Sequence, residues 1–262
     1  MHGRRLHGGQ RARARAALRA HGGQAARPRH GARPRPSLLE RRGRRRVTRL
    51  SILHDADGVV VVDKPPGLEA TGRTPDDPGG VQHHLATQLR RPVWAVHQLD
   101  RDTSGVLIFV RKRSLVARWQ EALARGDKRY VALVHGREGH GSEAFEPRTI
   151  DAPLAYDRGA RRWVVREGGK PARSTVEVVS VGADAMRVHV TLHTGRTHQA
   201  RVHLAHVGHP LIGERRYRTP PCELHPRHAL HAARVAALGA VFEAPLPEDL
   251  RALARRLGLD EG

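Results

Sequence analysis

Downstream of residue 50 the chain is written in short apolar blocks separated by turn residues, and most of these blocks predict strands rather than helices. Residues 50–54 and 59–62 flank Asp55-Ala56-Asp57-Gly58, a hairpin turn, and Lys64-Pro65-Pro66-Gly67 stops the second strand. Residues 92–96 and 106–110 are continuous apolar runs, the texture of buried strands. Further strands are expected at 128–136, 150–154, 163–166, 174–181, 186–192 and 230–238, with Gly182-Ala183-Asp184 as one of the turns. Helical spacing replaces this alternation in four places. Val81, Leu85 and Leu89 recur at every fourth position within 79–89. Val116, Trp119 and Leu123 share a face between a capping Ser114 and a terminating Gly126. Ala200, Leu204, Val207 and Leu211 predict an amphipathic helix over 194–207 with Thr194 as its cap, and 247–257 reads as a closing helix with Pro247 near its first turn. Runs of strands with a few inserted helices imply an α+β domain, largely antiparallel in its middle.

Composition alters this picture at one end. Residues 1–46 hold fifteen arginines against the single acid Glu40, which is two thirds of the net charge of +21. With almost nothing to bury, this stretch is expected to be a disordered Arg/Gly/His-rich tail, leaving 47–262 as the folded domain. It is read either as a basic arm that holds nucleic acid or as an unused upstream extension with Val47 as the true start, and the second reading is favoured. The lone Cys222 cannot form an intramolecular disulfide, and no run approaches the roughly 18 apolar residues that span a bilayer. A cytoplasmic protein without membrane contact is expected.

The richest chemistry lies between the two predicted buried strands, in residues 97–105, His-Gln-Leu-Asp-Arg-Asp-Thr-Ser-Gly. A turn needs only Gly and Asp, so the extra Arg, Thr, Ser and second Asp suggest a loop kept for its side chains; a solvated Asx-type turn is the plain alternative. Arg196 stands in the first turn of the helix expected from Thr194, where the helix dipole already presents positive charge, so an anion should be near it. That anion is either a nucleic-acid phosphate or a carboxylate such as Asp100. Six histidines between 189 and 209 match no zinc spacing, and Asp100 and Asp102 are too close in a tight loop to flank a glycosidic bond. No glycine-rich phosphate loop is present. Aromatic residues make up only 3% of the chain, which disfavours a base-stacking RNA reader, although Tyr130 follows Lys128-Arg129 at a strand start where a ring could meet a base or the core.

Taken together, these pieces resemble the RluA family of RNA pseudouridine synthases. Asp63-Lys64-Pro65-Pro66-Gly67-Leu68 is similar to the first motif of that family, residues 97–105 to its catalytic motif, and residues 128–136 to its K-x-Y-x-A-x-V-x-G strand. Residues 192–203, Leu-His-Thr-Gly-Arg-Thr-His-Gln-Ala-Arg-Val-His, resemble L-x-T-G-R-x-H-Q-I-R-x-H, and Gly208-His209-Pro210-Leu211-Ile212-Gly213 and Leu230-His231-Ala232 match later signatures. The similarity runs from about residue 50 to about residue 250.

The resemblance implies a mixed, mainly antiparallel central sheet flanked by helices, and an enzyme without cofactor or metal that isomerises uridine in ribosomal or transfer RNA. It implies that Asp100 is the essential aspartate, which either attacks C1′ of the uridine or takes the C2′ proton. It further implies that Tyr130 stacks on the base and helps remove the C5 proton, and that Arg196 pairs with the catalytic carboxylate. His97, Gln98, Arg101 and Thr103 of the catalytic motif, Lys128, and Thr197, His198, Gln199 and Arg201 are the residues expected to contact RNA. Gln98 stands where the family usually has Arg, so a role in filling the gap left by a flipped base loses its charge. Ala200 replaces a larger aliphatic residue and should loosen packing. No S4-like domain, no obligate protein partner and a monomeric state are expected. A catalytically silent RNA-binding relative is the alternative that Gln98 leaves open.

Overall fold

A computed structural model describes residues 49–74, 76–136 and 148–259, and the expectation for residues 1–46 lies outside them. In chain order the strands are β1 (Ser51–Ala56), β2 (Val59–Lys64), β3 (Trp94–Ala95), β4 (Ser104–Val110), β5 (Asp127–His135) and β6 (Arg148–Asp151). They continue with β7 (Leu154–Asp157), β8 (Arg162–Val165), β9 (Arg173–Val181), β10 (Ala185–Leu192), β11 (Leu230–Ala237) and β12 (Ala240–Glu243). The helices are α1 (Val81–Leu89), α2 (Val116–Arg125), α3 (Gln199–His206) and α4 (Glu248–Arg256). Among the described residues ten strands form one sheet with the path β1-β2-β4-β11-β5-β10-β9-β6, β3 lying beside β4 and β12 beside β11. Every pairing is antiparallel except β4 with β11, which run parallel at Ser104–His231 and Gly105–Ala232. The sheet is therefore mixed and mainly antiparallel, as expected. β7 and β8 form a separate hairpin.

The alternation along the central strands places the core. Val60, Val62, Leu107 and Phe109 point to the face covered by α1 and α3, while Val59, Val61, Val106, Ile108 and Val110 point to the face covered by α2. Since both faces are covered, β4 is buried along its whole length, which explains its continuous apolar run. Each large aliphatic side chain buried here contributes about 1.5–3 kcal/mol. Leu250 and Leu253 of α4 close a third cluster with Leu133 and Ile212. The first hairpin turns through Asp57 and Gly58, both at positive φ (52° and 76°), the geometry that an Asp-Gly pair supplies.

Several boundaries differ from the expectation. The strand expected at 92–96 shrinks to Trp94–Ala95, the two residues that find partners on β4. The run 150–154 is cut into β6 and β7 around Pro153, which has no N–H to offer a ladder. Ser114 does not cap α2: a 3-10 turn, Arg113–Leu115, precedes that helix and no side chain bonds its first amides. Gly126 does end α2, in extended conformation, and Pro247 sits one position ahead of α4 as its N-cap residue. No helix among the described residues is long and apolar enough to cross a membrane.

Candidate active site

The loop between β3 and β4 carries Asp100 and is fastened from within the protein by two buried cations. Lys64, fully buried at the end of β2, donates from Nζ to the carbonyls of Pro65 (2.9 Å), Leu68 (2.7 Å) and Arg101 (2.8 Å). Burial pushes its pKa down to about 7, against the pull of Asp102 and Asp100. Arg227, 7% exposed, donates from Nη1 to the Asp102 carbonyl (2.9 Å) and grips the Asp249 carboxylate through Nε (2.7 Å) and Nη2 (3.1 Å). Consecutive carbonyls just after Asp100 are thus each held by a buried cation. Beneath them Thr103 bonds with His228 (2.8 Å) and Ser104 with His231 (3.0 Å). Gly105 has φ +113°, and a Cβ there would lie 2.2 Å from the Ala232 carbonyl oxygen, so only glycine lets β11 come alongside.

The carboxylate of Asp100 is held by Arg201 of α3, whose Nη1 donates to Oδ2 at 3.0 Å. The other side of the guanidinium makes a two-pronged pair with Glu214, Nε to Oε2 and Nη2 to Oε1, each at 2.9 Å. Glu214 is fully buried; burial acts to raise its pKa, but the Arg201 bonds and charge outweigh that and hold it below the ordinary value. The guanidinium also lies over the Tyr217 ring, 5.1 Å from its centroid. His198 faces the second oxygen of Asp100, Nε2 to Oδ1 at 3.6 Å, while its Nδ1 bonds with the Tyr217 hydroxyl. Burial lowers the His198 pKa, so the ring is neutral near pH 7.

A cleft of about 480 Å³ opens over these groups. It is lined by Asp100, Tyr130, Arg196, His97, Gln98, Thr103, Lys128, Thr197, His198, Gln199 and Arg201, so the structure gathers eleven of the residues marked in the sequence into one place. Arg101 lines an adjoining polar recess that shares Gln98, Asp100 and His198 with the cleft and adds Arg216 and His228. Tyr130 is 8% exposed, and burial together with the Asp100 charge pushes its phenol above the ordinary value. It is a phenol at neutral pH.

One expected pairing is corrected. Arg196 is exposed and its Nε donates to the Pro171 carbonyl (2.9 Å); the partner of Asp100 is Arg201. The physical reason is that the helix expected over 194–207 begins only at Gln199. The Gln199 side-chain oxygen accepts from Thr194 Oγ1 (2.7 Å) and from the Arg196 amide (3.0 Å), folding 194–198 into a turn, and His198 then enters α3 with φ 58°. Arg196 therefore does not stand in the first helical turn.

Other residues expected to touch RNA also have structural partners. Gln199 is 2% exposed and its amide also donates to the Arg173 carbonyl and Ser174. Lys128 donates to the Leu123 carbonyl near the end of α2, Thr103 is buried on His228, and His97 accepts the Ile108 amide (3.1 Å). Burial, with the Lys128 charge, lowers the His97 pKa to about 4. Arg101 donates from Nε to the Gly67 carbonyl (3.0 Å), and Gln98 bonds Thr71 (3.2 Å). Glu214, Tyr217 and Arg227 carry no expectation from the sequence, and Lys64 has one only as a strand end and a member of the first motif; each shows its role only when a distant segment folds against it.

Residues 58–206 match the family model described as RNA pseudouridylate synthase. The dual-specificity RNA pseudouridine synthase RluA of Escherichia coli is 36% identical over 197 residues, covering 70% of this chain and 84% of that relative. This chain belongs to the RluA-type RNA pseudouridine synthases. As an RluA-type synthase it is an isomerase that acts on uridine in RNA. An RNA pseudouridine synthase of Chloroflexus aurantiacus is 42% identical over 177 residues, 62% of this chain and 52% of the relative, so the chain spans about half of that relative's length. Human RNA Pseudouridylate Synthase Domain Containing 4 shares the fold, with a TM-score of 0.67 at 22% identity, covering 80% of this synthase and 94% of the human chain.

Proposed function

We propose that this protein converts uridines of structured ribosomal or transfer RNA to pseudouridine, with Asp100 acting directly at the ribose of a nucleotide flipped into the cleft. The observation that carries this reading is the asymmetric hold on one carboxylate. Oδ2 is fixed by Arg201, which is fixed in turn by Glu214, while Asp100 lines the cleft with Oδ1 opposite a neutral imidazole. A charged carboxylate placed in this way is preorganised to attack C1′ or to accept the C2′ proton. In either route the N1–C1′ bond breaks, the uracil turns above the Tyr130 ring, and a C5–C1′ bond forms as the Asp100–C1′ ester breaks or as Asp100 returns the proton to C2′; C5 then gives up its proton and N1 gains one. Asp100 and neutral His198 are the acceptors at hand for that proton, whereas Tyr130 keeps its own. Reaching C1′ requires the nucleotide to leave its stack, and a target read by shape and unpaired bases suits such chemistry. A monomer in the cytoplasm is the simplest setting, supported by a buried Cys222 that has no disulfide partner.

The test is tritium release from C5-labelled uridine in bulk cellular RNA, with thermal melts as the folding control. Asp100→Asn keeps the shape of the side chain and removes its charge; it should abolish turnover while leaving RNA binding and melting near wild type. Asp102→Asn should stay within about two orders of magnitude of wild type, because its bond with Arg227 is made by the backbone carbonyl, which the change leaves in place. Ordinary turnover by Asp100→Asn would overturn the proposal.

A further inference from the structure

The hairpin formed by β7 and β8 stands apart from the sheet and carries Tyr156, the only exposed Phe, Tyr or Trp among the described residues, at 47% exposure. Its ring meets Trp163 of the facing strand edge-on, centroids 5.7 Å apart, which fixes the tyrosine without covering it. The segment 154–173 has six basic side chains and two acidic ones. One of the acids, Asp157, is engaged by Arg166 (2.7 Å), while Arg158 and Arg161 at the turn are exposed. A held, half-open ring beside unmatched guanidinium groups is the chemistry that stacks an unpaired base and meets the flanking phosphates.

The hairpin is also tied to the catalytic cleft. Arg162 donates from Nη1 to the Arg216 carbonyl (3.1 Å), and Arg216 donates back to the Arg161 carbonyl. Arg216 lines the polar recess beside Asp100, and the next residue, Tyr217, packs near Trp163 and carries the Arg201 guanidinium. RNA engaged by this hairpin would thus continue into the strand that presents a nucleotide to Asp100.

We propose that the β7–β8 hairpin is a second RNA-binding site of this enzyme, stacking an unpaired nucleotide that flanks the target on Tyr156 and holding its phosphates with Arg158 and Arg161. This rests on the RNA-modifying reading above. Arg161 contributes only its backbone carbonyl to the link with Arg216, so side-chain changes at 158 and 161 leave that link in place.

The test measures binding of a short oligouridylate, and of an RNA duplex of equal length, to full-length protein, alongside tritium release from bulk RNA. Tyr156→Ala should weaken oligouridylate binding at least about fivefold and raise KM with kcat little changed, while Tyr156→Trp restores both. Duplex binding should not depend on Tyr156. Arg158→Ala with Arg161→Ala should lower the salt slope of oligouridylate binding by ~0.7 for each phosphate that the hairpin no longer neutralises. An active wild type whose Tyr156→Ala and double arginine variants bind oligouridylate with unchanged affinity and slope would overturn the hairpin proposal alone. A wild type that neither binds nor modifies RNA would overturn it together with the proposed function.

Discussion

Arg201 reaches Asp100 across 101 positions of sequence with one hydrogen bond of 3.0 Å, and it does so from a guanidinium whose other edge is committed to Glu214. The Asp100 carboxylate therefore depends on a partner that is itself immobilised by a second, fully buried carboxylate. Rotation of Arg201 toward solvent would leave Glu214 charged and unpaired in the interior, which is why the arrangement holds without substrate.

Arg201→Ala should abolish detectable turnover and lower stability by about 3–5 kcal/mol, since it strands Glu214. Adding Glu214→Gln should recover part of the lowered melting temperature and none of the activity. Arg196→Ala, at an exposed position bonded to a backbone carbonyl, should keep turnover within about tenfold of wild type. Tritium release and thermal melts on the three variants check this, and equal losses for Arg196→Ala and Arg201→Ala would contradict the assignment of partners.

Gly105→Ala forces a side chain into a left-handed backbone position facing the Ala232 carbonyl, and should cost roughly 3 kcal/mol or more. Because the same glycine ends the loop that carries Asp100, activity should fall even below the melting transition. Circular dichroism melts and turnover at low temperature separate the two effects.

Stability should fall in acid for a reason that lies next to the catalytic loop. Burial lowers the pKa of His228 to about 3 and of His231 to about 4, against the ordinary 6.5. Well above pH 6.5 both rings are neutral whether folded or unfolded, so they contribute no pH dependence there. Between about 6.5 and 4 the unfolded chain binds protons that the folded chain refuses, and each group removes up to about 1.4 kcal/mol per pH unit. Denaturation curves over this range should show that slope, and His231→Gln, which can still donate to the Ala244 carbonyl, should flatten part of it.

A chain beginning at Val47 should fold and modify RNA, with any loss of affinity regained at low ionic strength, as expected when arginine contacts to phosphates are removed. Inactivity of that shorter chain at low salt would give residues 1–46 a role beyond electrostatics.

The strands were legible in the sequence because they are local signals, continuous apolar blocks within Val59–Lys64 and Ser104–Val110, and the loop between two such blocks stood out by its dense polar side chains. The partner of Asp100 was not. Arg196 and Arg201 stand in the same motif, and choosing between them requires knowing that the Gln199 side chain folds back on 194–196 and delays the helix. Lys128 and Gln199 line the cleft and also bond carbonyls behind it, partners that a polar side chain does not reveal in the sequence. Glu214, Tyr217 and Arg227 carry no local signature, because each acts on a segment brought to it by the sheet.

The parallel pairing of β4 with β11 has a consequence for when the enzyme becomes competent during its synthesis. A ribosome that has delivered residue 135 has already supplied Asp100, Tyr130 and most of the central hydrophobic ribbon. Apart from Lys64, the clasps on the aspartate loop come from Arg227, His228 and His231, and the anchor for Arg227 is Asp249. Until those residues emerge, the loop lacks its fixed shape and β4 shows an unpaired edge at Ser104 and Gly105. The nascent chain would thus carry Asp100 past the RNA of the ribosome that is making it before the loop around that carboxylate has its fixed shape.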